Sequence, residues 1–136
     1  MPRAHILVVD DDRWVRQTLR DLLAPADCAV TEAGDGGTAL AQAAALQPDV
    51  ILLDLMMPGL DGYTVCHRLQ ANPATRTIPV IVLTASLDRS LNRRAYAAGA
   101  VACLTKPFRC EALLAVIQTA LQGVAHRGKR DEGERP

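Results

Sequence analysis

The chain predicts an α/β domain, a doubly wound parallel sheet of five strands alternating with five helices. Short apolar runs, Ile6-Leu7-Val8-Val9, Val50-Ile51-Leu52-Leu53 and Val80-Ile81-Val82-Leu83, read as strands buried on both faces, the habit of parallel sheets. Between them lie stretches with apolar residues at helical spacing, so strand and helix signals alternate from end to end. With 136 residues there is material for one hydrophobic core and too little for two.

The first strand, His5 to Val9, runs into Asp10-Asp11-Asp12. A helix follows with Val15, Leu19, Leu22 and Leu23 on one face, and it stops near Pro25. Cys28 to Ala33 is a weaker second strand, closed by Gly34-Asp35-Gly36-Gly37, and an alanine-rich helix then buries Leu40, Ala43 and Ala44, with Leu46 a further candidate, before Pro48. The third strand ends in Asp54; Pro58-Gly59 and Asp61-Gly62 break the chain, and Asp61 is the expected N-cap of a helix through Val65, Cys66 and Leu69. Ile78 to Leu83 is the fourth strand, its early Pro79 tolerable because a strand start need not donate to the ladder. A helix from about Leu87 to Ala98 ends at Gly99, and Val101 to Leu104 is a short fifth strand leading into Thr105-Lys106-Pro107-Phe108. Leu113, Val116, Ile117, Ala120 and Leu121 mark the apolar face of the last helix. The apolar period is lost from Gly123 onward, so residues 1–122 are expected to form the domain and 123–136 a charged, disordered tail.

Composition narrows the function. Fifteen basic and fifteen acidic residues give zero net charge, which argues against a nucleic-acid surface of the ordinary, strongly basic kind, though not against a small local patch. No apolar run approaches the roughly 20 residues that span a bilayer, and the first strand starts too early to leave room for a signal peptide. A cytoplasmic protein without membrane contact is expected. The four cysteines, Cys28, Cys66, Cys103 and Cys110, are scattered without a CxxC pair, which fits free thiols in a reducing compartment better than a zinc site.

In a parallel sheet the strand ends share one edge, where open α/β folds place their chemistry. Asp10 and Asp11 follow strand one, Asp54 ends strand three, Thr84 ends strand four and Lys106 follows strand five. A lone strand-end aspartate equally suits a turn cap. Three converging carboxylates, however, repel one another unless a cation is present, and an oxygen-rich site of this kind suits Mg²⁺. A hydroxyl and an ammonium beside them would orient and neutralise a phosphoryl group.

Four segments, Ile6 to Asp11, Leu53 to Gly62, Val80 to Ala85 and Leu104 to Phe108, with Gly99-Ala100, resemble the receiver domains of two-component response regulators over about residues 4–122. The resemblance implies the flavodoxin-like strand order 2-1-3-4-5. It implies that Asp54 is the phosphoacceptor, charged from a sensor histidine kinase or a histidine phosphotransfer protein. Asp10, Asp11, Asp54 and the backbone carbonyl of Met56 would hold Mg²⁺ (or Mn²⁺), Asp11 directly and Asp10 mostly through water. Lys106 would pair with phosphoryl oxygens, Thr84 would reach for them after transfer, and the Lys106-Pro107 bond would be cis. Phosphorylation would shift the domain between inactive and active forms read by a downstream protein, the chain itself acting as a monomer or weak dimer and not as a turnover enzyme.

The sequence also departs from the family. Cys103 stands three residues before the lysine, where receivers usually carry the aromatic that moves with the threonine, so at the switch positions Thr84 and Cys103 either the output face couples differently or coupling is weak; neutral drift in a receiver read from another face and a redox role for the thiol are the competing readings. Val101-Ala102 replace residues that are often acidic, and Arg109-Cys110 begin the last helix without the usual capping aspartate. Trp14, just past the acidic pair, reads either as an exposed start-of-helix residue or as a contact for the phosphodonor. The competing function is a receiver-like binding module regulated without phosphorylation. A hydrolase of the haloacid-dehalogenase kind would need an acid–base Asp two residues after the nucleophile, where Met56 stands.

Overall fold

The computed structural model describes residues 4–57, 59–85, 89–107 and 109–133, excluding the side chains of residues 89 and 123–133. Pro58, Leu87 and Phe108, named above, lie outside the described residues. In chain order the elements are β1 (Ala4–Val9), α1 (Arg13–Leu23), a 3₁₀ turn (Ala24–Ala26), β2 (Cys28–Ala33), α2 (Gly36–Leu46), β3 (Val50–Asp54), α3 (Gly62–Ala71), β4 (Val80–Thr84), α4 (Arg89–Ala97), β5 (Ala102–Thr105) and α5 (Cys110–Gly133). The five strands form one parallel sheet in the order β2-β1-β3-β4-β5. This is the doubly wound, flavodoxin-like arrangement.

Side chains alternate across the three inner strands, and the alternation divides the core in two. Leu7, Val9, Ile51, Leu53, Val80 and Val82 face α2, α3 and α4, meeting Ala39, Ala43, Val65, Leu69 and Ala95. Ile6, Val8, Val50, Leu52, Ile81 and Leu83 face α1 and α5, meeting Leu19, Leu23, Leu113 and Ile117. Both faces are covered, which is why these strands read as unbroken apolar runs rather than as alternating ones.

Three helices are started by aspartates. Asp12, Asp35 and Asp61 each accept from a backbone N–H in the first turn, those of Trp14 at 2.8 Å, Thr38 at 2.7 Å and Thr64 at 2.8 Å. Asp12 is thus the cap of α1. α5 extends to Gly133, past the loss of apolar period at Gly123; no proline interrupts the chain between Pro107 and Pro136. Among the described residues, its packing on the core ends with Ala120 and Leu121.

One close approach fixes the turn after β3. The Gly62 N–H donates to the Leu55 carbonyl at 3.1 Å. A methyl group on Gly62 would lie 2.6 Å from both the Asp54 carbonyl oxygen and Leu55 Cα, and neither can move without moving the end of β3. Gly37 differs: a methyl there meets only an Asp35 carboxylate oxygen, at 3.5 Å. Gly62→Ala is therefore expected to destabilise the fold by about 1–3 kcal/mol through overpacking. Gly37→Ala should leave stability unchanged or raise it by roughly 0.5–1 kcal/mol, since it removes a glycine from a helix. Urea unfolding of the two variants checks this, and equal midpoints would count against the close-approach argument.

Candidate functional site

Register brings the strand ends level. Val9 pairs with Leu53, Asp54 with Leu83, and Thr84 with Thr105, so the residues at or just past these positions share the carboxyl edge. The buried apolar strands hold this edge rigid. Asp10 and Asp54 are carried just to the rim and remain 2% and 7% exposed, whereas Asp11 is out in solvent.

The carboxylates of Asp10, Asp11 and Asp54 converge, with one oxygen of each within 4.8 Å of the others. Lys106 Nζ lies 3.2 Å from Asp10 Oδ2 and 3.7 Å from Asp54 Oδ1. The Asp12 N–H donates to Asp10 Oδ1 at 2.9 Å, and the Met56 N–H to Asp54 Oδ1 at 3.3 Å. Lys106 is anchored by its own N–H, which donates to the Thr84 carbonyl at 2.7 Å, and the Lys106–Pro107 bond is cis. Thr84 is fully buried at the end of β4, with Ala85 exposed beyond it. Burial raises the Asp54 pKa above its ordinary value, and the Asp10 carboxylate adds to this; Lys106 and the Met56 N–H pull the other way and lose.

Thus Asp10, Asp11, Asp54 and Lys106 are brought together, with Met56 beside them through its backbone and Thr84 on the adjoining strand end. Cys103 is not part of this group. It packs against the core on the α2, α3 and α4 side. Burial pushes its thiol pKa up, against a hydrogen bond from the Tyr96 hydroxyl. Cys66, buried nearby, is pushed up to about 11 by burial and by Cys103. Both thiols stay protonated at neutral pH, which fits packing rather than nucleophilic chemistry.

Two further groups border the site, and the sequence gives little sign of either. Arg16 of α1 donates through Nη1 to the Asp10 carbonyl at 2.7 Å and through Nε to Glu32 Oε1 at 3.1 Å. Arg20 donates to the other Glu32 oxygen at 2.9 Å. Burial alone would raise the Glu32 pKa, but the hydrogen bonds from Arg20 and Arg16 outweigh it and hold the carboxyl below its ordinary value. On the opposite side, Tyr63 of α3 donates to the Leu91 carbonyl of α4 at 3.2 Å, and the Arg94 guanidinium sits 4.0 Å over its ring. A charge beside an apolar helix face reads from sequence as solvated surface, and only the fold shows which of these charges turn inward.

A groove of about 320 Å³ runs beside Lys106, lined by Trp14, Val15, Thr18, Leu22 and Pro107. The Trp14 ring at its mouth is 77% exposed.

The chain matches the family model of the response regulator receiver domain over residues 6–118. It is similar to the response regulator PleD of Caulobacter vibrioides, with 48% identity over 104 residues, which make up 76% of this chain and 23% of PleD. It is also similar to RpaA of Synechocystis, a DNA-binding dual master transcriptional regulator, with 42% identity over 122 residues, 90% of this chain and 50% of RpaA. The chain therefore spans half or less of the length of these two relatives. Among solved structures it resembles the receiver domain of the sensor histidine kinase PA1611 from Pseudomonas aeruginosa, which has a magnesium ion coordinated in its active site cleft. The TM-score is 0.83 at 29% identity, covering 89% of this chain and 99% of that one. Because the family match begins in β1, takes in every strand and reaches into α5, the chain belongs to the receiver domains of two-component response regulators.

Proposed function

We propose that this chain is a phosphoacceptor, taking a phosphoryl group on Asp54 from the phosphohistidine of a sensor kinase or histidine phosphotransfer protein. The observation that carries the reading is the Lys106 ammonium set between Asp10 and Asp54, at 3.2 and 3.7 Å, on an edge otherwise crowded with carboxylates. A carboxylate oxygen of Asp54 attacks phosphorus, the P–N bond to the donor imidazole breaks, and an acyl phosphate remains. Lys106 stands where it can neutralise charge developing on the equatorial oxygens. Thr84, at the end of the neighbouring strand, supplies a hydroxyl to the same group after transfer.

The donor set fits a hard divalent cation, because three carboxylates within 4.8 Å face a single ammonium among the described residues. Asp10, Asp11, Asp54 and the Met56 carbonyl would hold Mg²⁺ (or Mn²⁺), which when bound neutralises the cluster and accepts phosphoryl oxygens. The added phosphate biases two arrangements of the face formed by α4, β5 and α5. Carrying such an equilibrium from 1:99 to 99:1 takes roughly 5.5 kcal/mol of differential interaction. At Cys103 there is no ring to move inward, so at the switch pair of Thr84 and Cys103 the output face couples without an aromatic swing. Output goes to a protein target; the zero net charge favours that over direct nucleic-acid contact. Among the described residues no helix is long and apolar enough to cross a membrane, and the reading places the chain in the cytoplasm as a monomer or weak dimer.

Incubation with acetyl phosphate and Mg²⁺ should add one phosphoryl group by mass and change Trp14 fluorescence, and Asp54→Asn should show neither. If the unmodified chain also shows neither, the phosphate-independent binding module is the better reading. Lys106→Ala should split two properties. Phosphorylation is expected to slow by about 10²–10³-fold, the loss typical of one charge-stabilising donor. Mg²⁺ affinity should rise, because a competing cation has left the carboxylates, and a titration showing weaker binding would contradict this role. The groove at Trp14 suits the docking of a phosphodonor. Trp14→Ala should slow transfer from a phosphohistidine protein while leaving the acetyl phosphate rate unchanged; equal effects on both would remove Trp14 from the docking surface.

A further inference from the structure

We propose that Arg16 is a positioning residue for the acidic pair, fixing the main chain of Asp10 by tying the end of β1 to Glu32 on β2. The inference rests on the phosphoacceptor reading and extends it to residues outside the carboxylate edge. β1 ends at Val9. The Asp10 N–H is satisfied by the Ala33 carbonyl at 3.1 Å, but its carbonyl lies beyond the ladder and needs a donor from elsewhere. Arg16 Nη1 supplies it at 2.7 Å, a short bond from a charged group that is 18% exposed.

The guanidinium is itself held. Its Nε is engaged by Glu32 Oε1 at 3.1 Å, and Glu32 is steadied by Arg20, which also donates to the Val30 carbonyl at 3.3 Å. Gly34 leaves the space this needs, since a methyl there would stand 3.3 Å from Arg16 Nη1. Asp10 is therefore gripped at three acceptors: the carbonyl by Arg16, Oδ1 by the Asp12 N–H and Oδ2 by Lys106. The first of these sets the backbone from which both Asp10 and Asp11 project.

Glu32 has a second consequence. An arginine near three carboxylates would ordinarily swing toward them and compete with a cation. Paired with Glu32, its charge is balanced on β2 and its fork is aimed at a carbonyl instead. Lysine cannot substitute, because one ammonium on a flexible stem does not present two N–H groups in fixed, divergent directions.

The test is Mg²⁺ and Mn²⁺ affinity of the unphosphorylated chain by titration calorimetry, with urea unfolding measured alongside. Arg16→Ala should weaken binding by about 10–100-fold, as loss of an outer-shell support typically does. Arg16→Lys should recover only part of that. Glu32→Gln, which loosens the guanidinium without deleting it, should also weaken binding and serves if Arg16→Ala does not fold. Arg20→Ala is the comparison: it breaks a neighbouring ion pair with the same Glu32 but leaves the Arg16 bonds to Glu32 and to the Asp10 carbonyl in place, so it should lower stability comparably and weaken metal binding far less than Arg16→Ala. Wild-type affinity in the Arg16 variants, or an equal loss in Arg20→Ala, would overturn the proposal. Failure of the unmodified chain to bind either metal would instead sink the phosphoacceptor reading, and this inference with it.

Discussion

Three carboxylates held against one another at the end of a parallel sheet are the constraint on which the rest of the molecule depends. Two like charges about 4 Å apart cost roughly 4 kcal/mol at an effective dielectric of about 20, and less where one of them is as exposed as Asp11. Lys106 offsets part of that repulsion but does not cancel it: burial raises the Asp54 pKa, and the Asp10 carboxylate adds to the rise. An edge like this disfavours its own full ionisation. It is tolerable because the fold beneath it is bought with apolar burial that owes nothing to the site.

That separation of duties is visible in the strands. Their interiors are apolar on both faces and level in register, and the polar chemistry begins only at the residue where each strand runs out. Gly62 presses the start of α3 onto the Asp54 carbonyl, so the loop carrying Met56 has little freedom to relax away from the cluster. Asp12 caps α1 and also gives its N–H to Asp10, so the helix start and the acidic pair are built from one turn. The repulsion is thus opposed by local geometry at each carboxylate as well as by global stability.

The part of this that the sequence discloses is the part set by period and punctuation. Strands covered on both faces are unbroken apolar runs, and Asp54, Thr84 and Lys106 are legible because they sit at the ends of such runs. The capping role of Asp61 follows from its place before a helical pattern. What escapes is long-range and depends on side-chain direction. Arg16 lies beside Val15 and reads as the solvated face of α1, yet it reaches across to β2; Glu32 in a half-buried edge strand looks equally ordinary. The meeting of Tyr63 with Arg94 joins α3 to α4 across a span of chain that no local pattern covers. The start of β4 at Val80 rather than Ile78 has a local cause. Pro79 has no N–H for the ladder, although its carbonyl still accepts from Ile51 at 3.0 Å.

Cys103 stands on β5 where the sequence departs from the receiver pattern, and the strand order is the same. A small thiol at that place on β5 takes up little volume, and it packs half-buried against the core on the α2, α3 and α4 side. α4 is held to α3 through the Tyr63 hydroxyl on the Leu91 carbonyl, and the turn after α4 through the Gln70 amide on the Gly99 carbonyl at 3.4 Å. α3 begins immediately after the Asp54 loop. Movement at the acidic edge therefore has a route to α4 through α3 that does not pass through β5.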